Sequence, residues 1–232
     1  GSRRRCTAVA ARHAASTADV VVCTARRLLD PRIPRAALPR DAAVVFDACA
    51  DVDVIARDVS GARLDAAGLE AAAREASKLA RRAERGGGDA DYGTVVSGGV
   101  AVGPCDVCGR SAAAFGTGDV VPGSLRRPEH FLRLVRVFAA FLKNLPEGSW
   151  NAPAFLAKLR DATGLEPDAL PAFPTRLASL RASLKARPRP DAEALMELCW
   201  FARVAATFDG AALVATADGA REAAVLDAAP AL

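Results

Sequence analysis

The sequence predicts an α/β protein in which a piece of a parallel sheet is interrupted by a mainly α-helical insertion. Three observations lead there. Two short, continuous apolar runs, Val20–Cys23 and Ala42–Asp47, are rich in β-branched residues and too short for helices. From Leu64 onward, apolar residues recur at helical spacing over several segments. A third strand-like run, Ala211–Ala215, follows those segments. Across its 232 residues the chain is 51% hydrophobic, 25% charged and 5% aromatic, which excludes a disordered or collagen-like protein. No apolar run approaches the roughly 20 residues that cross a bilayer. The balance of 31 basic and 27 acidic residues gives +4, a charge that permits a nucleic-acid partner without requiring one.

In chain order, Cys6–Thr17 consists of good helix formers, and Asp19 then precedes the run Val20-Val21-Val22-Cys23. Ala25–Leu29 reads as one or two helical turns closed by Asp30-Pro31. The three prolines between Pro31 and Arg40 make that stretch a connection, after which Ala42-Ala43-Val44-Val45-Phe46-Asp47 is a second buried strand. Two continuous apolar strands joined by a helical crossover predict a parallel sheet covered on both faces. Leu64, Leu69, Ala72, Ala76 and Leu79 then mark one face of a long amphipathic helix over Leu64–Arg85, ended by Gly86-Gly87-Gly88. Gly86–Gly123 is glycine-rich with weak periodicity and reads as a flexible insertion. Four helices follow, at Pro128–Leu145, Ala152–Thr163, Ala172–Ala186 and Asp191–Thr207, punctuated by Pro, Gly and Asp. The tail beyond Asp218 gives no clear signal.

A buried strand ending in a carboxylate, as in Val44-Val45-Phe46-Asp47, has the form of an element that holds Mg²⁺ beside bound phosphates. The alternative for Asp47 is that it caps the next helix.

Several segments, in order, resemble one family. Cys6–Ile33 is similar, without gaps, to the segment of the XPD family of iron-sulphur superfamily 2 DNA helicases that starts at the last cluster cysteine. Ala43-Val-Val-Phe-Asp-Ala-Cys-Ala-Asp-Val-Asp53 resembles that family's motif II, which reads VVFDEAHNID. Val121–Leu132 resembles part of its Arch domain, and Ala202–Val214 its return to the first motor domain. The resemblance implies a partial RecA-like sheet with an inserted Arch: residues 1–55 as part of helicase domain 1 with motif II, 56–208 as an Arch-like helical domain with 86–123 as its flexible insertion, and 209–232 as the return strand. It implies ATP-driven 5′ to 3′ unwinding in nucleotide excision repair and transcription initiation. It also implies single-stranded DNA, the subunits of TFIIH and its kinase module as partners, and a nuclear setting. The cofactors it implies for full-length relatives are a 4Fe–4S cluster and Mg-ATP.

Carried over by position, Cys6 matches the fourth cluster cysteine and Asp47 the Mg²⁺-coordinating aspartate. Four thiolates hold such a cluster, so Cys6 alone cannot. Ala48 stands where the family has the glutamate that activates water, and Ala50 where it has the histidine. Loss of a general base costs roughly 10²–10⁴-fold. No GxxxxGK[ST] loop occurs in the sequence either. The expectation is a chain that does not hydrolyse ATP by itself and has no catalytic residue. The competing expectation is a degenerate, non-enzymatic Arch-type scaffold that binds protein partners. Because the single methionine is Met196, the chain reads as an excerpt or processed product, with Gly1-Ser2 a possible expression scar.

The remaining candidates weigh toward structure. Cys105 and Cys108 have zinc-knuckle spacing but no second ligand pair, so they read as free thiols or as half of a shared site. Cys23, Cys49 and Cys199 sit in apolar contexts and read as core residues. His130 beside Glu129 at a helix start reads as a surface or packing residue. Arg81, Arg82, Arg85, Arg133, Arg136, Arg176, Arg181 and Arg187 lie on helix faces that would track a DNA backbone or be solvated. The absence of a signal peptide and of even secretory cysteine spacing predicts a reducing, intracellular setting.

Overall fold

The computed structural model describes residues 14–15, 18–30, 32, 43–47, 49–85, 127–184, 190–208 and 210–225. They form a mixed α/β structure that is mostly helical and carries one four-stranded sheet. The elements are α1 (Ala25–Leu29), α2 (Val52–Ser60), β1 (Ala62–Leu64), α3 (Ala66–Arg85), α4 (Pro128–Lys143), β2 (Gly148–Asn151) and α5 (Ala152–Thr163). A 3₁₀ segment (Pro167–Ala172), α6 (Phe173–Ser183), α7 (Pro190–Thr207), β3 (Ala211–Ala215) and β4 (Arg221–Val225) complete the order.

Local chemistry sets most of these boundaries. Thr24 Oγ1 accepts from Arg27 N at 3.3 Å and starts α1. Asp65 Oδ1 accepts from Gly68 N at 2.6 Å and starts α3. Asn151 Oδ1 accepts from Ala154 N at 2.9 Å, with Pro153 in the first turn of α5, and Gly164 closes that helix at φ 68°. The helices predicted after Leu64 are all present, and Ala152–Thr163 and Ala211–Ala215 have the predicted limits.

The core is built from those helices. Phe131, Phe138, Phe155, Phe173 and Phe201 are buried completely or nearly so. Phe131 meets Phe173 edge to face at 5.5 Å between ring centroids, and Phe141 meets Phe155 at 5.6 Å. α3 lies against both α4 and α7, and α7 also packs on the sheet. On β3, Ala211, Leu213 and Ala215 point inward and alternate with half-buried neighbours.

The sheet departs from expectation. It is antiparallel throughout, in the order β1-β4-β3-β2, with Leu213 opposite both Trp150 and Ala223. A parallel RecA-like sheet is not seen among the described residues. Val20–Cys23 and Ala43–Asp47 are in no strand, and Val20, Val22 and Val45 are 79%, 93% and 89% exposed. A parallel strand is stable only when neighbours pair with both its edges and helices cover both its faces. These two runs have the composition for it but no partner. Cys23 is consequently exposed rather than a core residue. Of the other two thiols expected in the core, Cys199 is fully buried, and burial pushes it far above the usual thiol range, while the Cys49 side chain lies outside what is described. The expected boundary at residue 209 falls between α7 and β3, which share one core, and the strand after it pairs within the helical unit. Sequence analysis did not anticipate α2, β1, β2 or β4. Most of the predicted Cys6–Thr17 helix, the Gly86–Gly123 insertion and Ala186 lie outside the described residues.

Candidate functional site

Asp47 stands at the end of the extended segment Ala43–Asp47, and its side chain is exposed. The 3₁₀ turn Cys49–Asp51 leads from it into α2, whose N-cap residue Asp51 makes no capping bond. Asp53 pairs with Arg57 one turn on at 3.5 Å. Asp58, on the same helix, takes a 2.6 Å bond from Arg26 of α1, with both side chains more than half exposed. Such surface pairs contribute at most about 1 kcal/mol.

Among the described residues, no three His, Cys, Asp or Glu side chains come together as metal ligands would. Asp47 therefore offers a divalent cation one exposed carboxylate, which is not enough to hold it. Cys6, the residue carried over for the iron-sulphur cluster, lies outside the described residues, as do Cys105, Cys108, Ala48 and Arg187. The described residues do not assemble a site for either cofactor. His130 gathers no catalytic partners: its Nδ1 accepts from Arg133 Nη2 at 2.9 Å on the first turns of α4.

Of the arginines singled out, Arg176 is corrected. It is 1% exposed, with its guanidinium 6.0 Å from the centre of the Phe131 ring, so it belongs to the core and not to a DNA-facing surface. Arg81, Arg82, Arg85, Arg133 and Arg136 are exposed as expected, and Arg181 is half-buried.

The most developed polar arrangements are ones that sequence analysis missed. Arg221 of β4 is 7% exposed and donates to Leu142 O at 2.8 Å, Leu145 O at 2.9 Å and Ala220 O at 3.0 Å. The first two acceptors are carbonyls at the C-terminal end of α4, where no further helical turn supplies donors and the helix dipole favours a cation. On the other side of the unit, Glu197 Oε1 accepts from the backbone N of Arg63, and Trp200 Nε1 donates to Gly61 O at 3.2 Å. These two α7 side chains satisfy backbone groups along β1, an edge strand open to pairing. Gly61 fits closely there, since a Cβ would lie 3.1 Å from Ala223 O, a tight approach. Glu197 also binds Arg32 at 3.2 Å and so ties the N-terminal segment to this edge. Asp191, at the start of α7, accepts from Lys78 at 2.7 Å, and that bond holds its carboxyl below the usual carboxylate range.

A groove of about 620 Å³ runs between the end of α4 and α5, with Val137, Phe141, Leu145 and Ala162 forming its apolar floor and Lys158 its rim. It contains no cluster of reactive groups. No described helix is long and apolar enough to cross a membrane.

No family model matches the chain. The chain is 25% identical over 229 residues, 89% of its length, to the general transcription and DNA repair factor IIH helicase subunit XPD of Arabidopsis thaliana. It is 24% identical over 224 residues, 88% of its length, to the subunit of the same name from Dictyostelium discoideum. These matches cover 30% and 28% of the two relatives, so the chain spans less than a third of either. The chain is thus distantly similar to XPD over nearly all of its own length.

Proposed function

We propose, from the distant similarity to the TFIIH helicase subunit XPD, that this chain is the motif II and Arch portion of an XPD-like DNA helicase. The observation that carries this reading is the spread of the similarity over 89% of the chain, rather than over one motif. The whole protein would be an ATP-dependent 5′ to 3′ helicase of TFIIH, working in the nucleus in nucleotide excision repair and transcription initiation. Residues 1–55 would belong to the motor and 56–208 to the Arch, with 209–232 the return strand to the first motor domain. The unpaired valines support the assignment of the first segment. Val20–Val22 and Val44–Val45 have strand composition and exposed edges, and strands from elsewhere in a longer polypeptide would pair with them into a RecA-like parallel sheet.

On this reading the chain by itself does not turn over ATP, since it has no phosphate-binding GxxxxGK[ST] loop and Ala48 and Ala50 replace the two catalytic positions of motif II. In the whole protein, a nucleotide-bound Mg²⁺ would supply charge neutralisation at the phosphates. By its match to motif II, Asp47 would be the residue of this chain that faces it.

A second reading is a helical scaffold that keeps the Arch to bind protein partners. It is favoured by those same replacements and by a core that, among the described residues, is drawn from residues 62–223. The intact mass of the endogenous protein, read with its transcript, separates the two. Coverage of 30% of a relative predicts a product roughly three times the 24.0 kDa of this chain, with a P-loop lysine and three cluster cysteines before Cys6. An endogenous product of 24.0 kDa would overturn the helicase reading and leave the scaffold.

A further inference from the structure

We propose that the outer face of the α3–α4 pair, at the end where α3 finishes and α4 begins, is a docking surface for an acidic segment of another protein. The inference rests on which guanidinium groups the fold leaves uncommitted, and it does not depend on the helicase reading.

The alignment of the two helices follows from one contact. Lys143, the last residue of α4, reaches Glu70 in the first turns of α3 at 3.0 Å, so the helices run antiparallel. With the same rise of about 1.5 Å per residue on both, Arg133 and Arg136 of α4 come level with the last turns of α3, which carry Arg81 and Arg85. All four side chains are exposed. Arg81 and Arg85 are four residues apart and Arg133 and Arg136 three apart, so each pair shares a helix face. Packed helices lie about 8–10 Å apart, so the two pairs sit on neighbouring helices within reach of one further helix laid across them.

Elsewhere on these helices the fold uses its cations internally. Arg74 and Lys78 both bind Asp191, at 3.6 and 2.7 Å, and Lys143 binds Glu70. Among the described residues, nothing pairs with Arg81, Arg85 or Arg136. Arg133 contacts the ring Nδ1 of His130 at 2.9 Å, a partner that brings no negative charge. Arginine keeps its proton at any physiological pH, so these four charges are permanent. Glu84 and Glu129 are exposed at the same end and bound the patch.

The occupant follows from the size and composition of the surface. These guanidinium groups extend over about two helical turns and offer four charges, whereas nucleic-acid affinity grows with the number of phosphates neutralised along the backbone. Single-strand sites also need aromatic side chains for base stacking. The large hydrophobic side chains exposed among the described residues are all valines, and they lie on the N-terminal segments and α2. A helix with Asp or Glu at i, i+3 and i+4 presents carboxylates at the spacing of these arginines, and arginine binds carboxylates through two parallel bonds.

The test uses the full chain at low ionic strength and fluorescence anisotropy. One probe is a labelled Ala/Glu helical peptide with glutamates at i, i+4 spacing. The other is a labelled oligo-dT of equal charge. We expect the peptide to bind at least as tightly as the oligonucleotide and to lose at least tenfold in affinity with R81E/R136E. The charge-matched pair R26E/R160E, on exposed positions elsewhere, should change it less than twofold, and circular dichroism should be unaltered in both. No peptide binding, or equal losses in the two double variants, would overturn the proposal. Tighter oligonucleotide binding that R81E/R136E abolishes would also overturn it, by making the patch a nucleic-acid site.

Discussion

A chain ending at Phe208 is expected to lose cooperative folding. That cut removes β3 and β4, the two central strands of a sheet ordered β1-β4-β3-β2. It leaves β1 and β2 with no strand to pair with, since their ladder partners are β4 and β3 respectively. It also takes Ala211, Leu213, Ala215 and Ala223 out of the core, each of them 2% exposed or less, and it removes the Arg221 cap on α4. Isolated strands of three or four residues have no independent stability. Thermal unfolding followed by circular dichroism should turn from a single sharp transition into a broad drift, with dye-binding apolar surface exposed. Removal of residues 1–48 should leave the transition sharp, because none of the described residues in that segment belongs to the core cluster. A sharp transition for the chain ending at Phe208 would show that the helices fold without the hairpin.

The second large effect is expected at Arg221. Its replacement by methionine keeps much of the side-chain volume and deletes the donors, so the Leu145 carbonyl loses its bond from the guanidinium and the Leu142 carbonyl keeps only the turn's own backbone, with Leu145 N at 3.3 Å. Hydrogen bonds to a charged group contribute about 1.5–3 kcal/mol each, and an orphaned buried acceptor costs about 1–3 kcal/mol. The net loss should be about 3 kcal/mol, which lowers the melting temperature by roughly 6–12 °C for a chain of this size. R221K should recover little, since a single ammonium cannot reach acceptors on both sides as a planar guanidinium does. R63A is the contrast: the Arg63–Glu222 pair at 2.9 Å has an arginine side chain 70% exposed, and its loss should cost no more than about 1 kcal/mol. Denaturant unfolding of the three variants measures the differences, and equal stability of R221M and R63A would remove Arg221 from its place in the fold.

The helices were legible because their signals are local. Apolar residues at helical spacing, caps such as Asn151 and stops such as Gly164 act within one or two turns, so α3 to α7 are where the sequence placed them to within about three residues. The sheet was not legible, for two reasons. β1, β2 and β4 are three to five residues long and read as Ala-Arg-Leu, Gly-Ser-Trp-Asn and Arg-Glu-Ala-Ala-Val, with little β-branched character, and only pairing makes them strands, β2 and β4 on β3 and β1 on β4. The valine runs do carry strand character, yet strand formation needs a partner that nothing in a local pattern supplies.

The candidate site divides along the same line. Asp47 was found from its position after an apolar run and from a family motif, and it is exposed and solitary among the described residues. Arg221 and Glu197 could not have been found this way. Their roles depend on carbonyls and amides between 76 and 134 residues away in sequence, and neither belongs to a recognisable motif. Arg176 shows the reverse error: an arginine in a helix was read as solvent-facing, whereas it lies against the Phe131 ring inside the core.

The chain is distantly similar to the XPD helicase subunit, and the proposed reading is that by itself it lacks the chemistry of that motor. The most direct measurement is steady-state ATP hydrolysis by the purified chain with Mg²⁺, with and without saturating single-stranded DNA. Turnover indistinguishable from a no-protein control is expected, and A48E should not restore it, because the phosphate-binding loop is missing as well as the glutamate. DNA-stimulated hydrolysis that D47N abolishes would contradict the account.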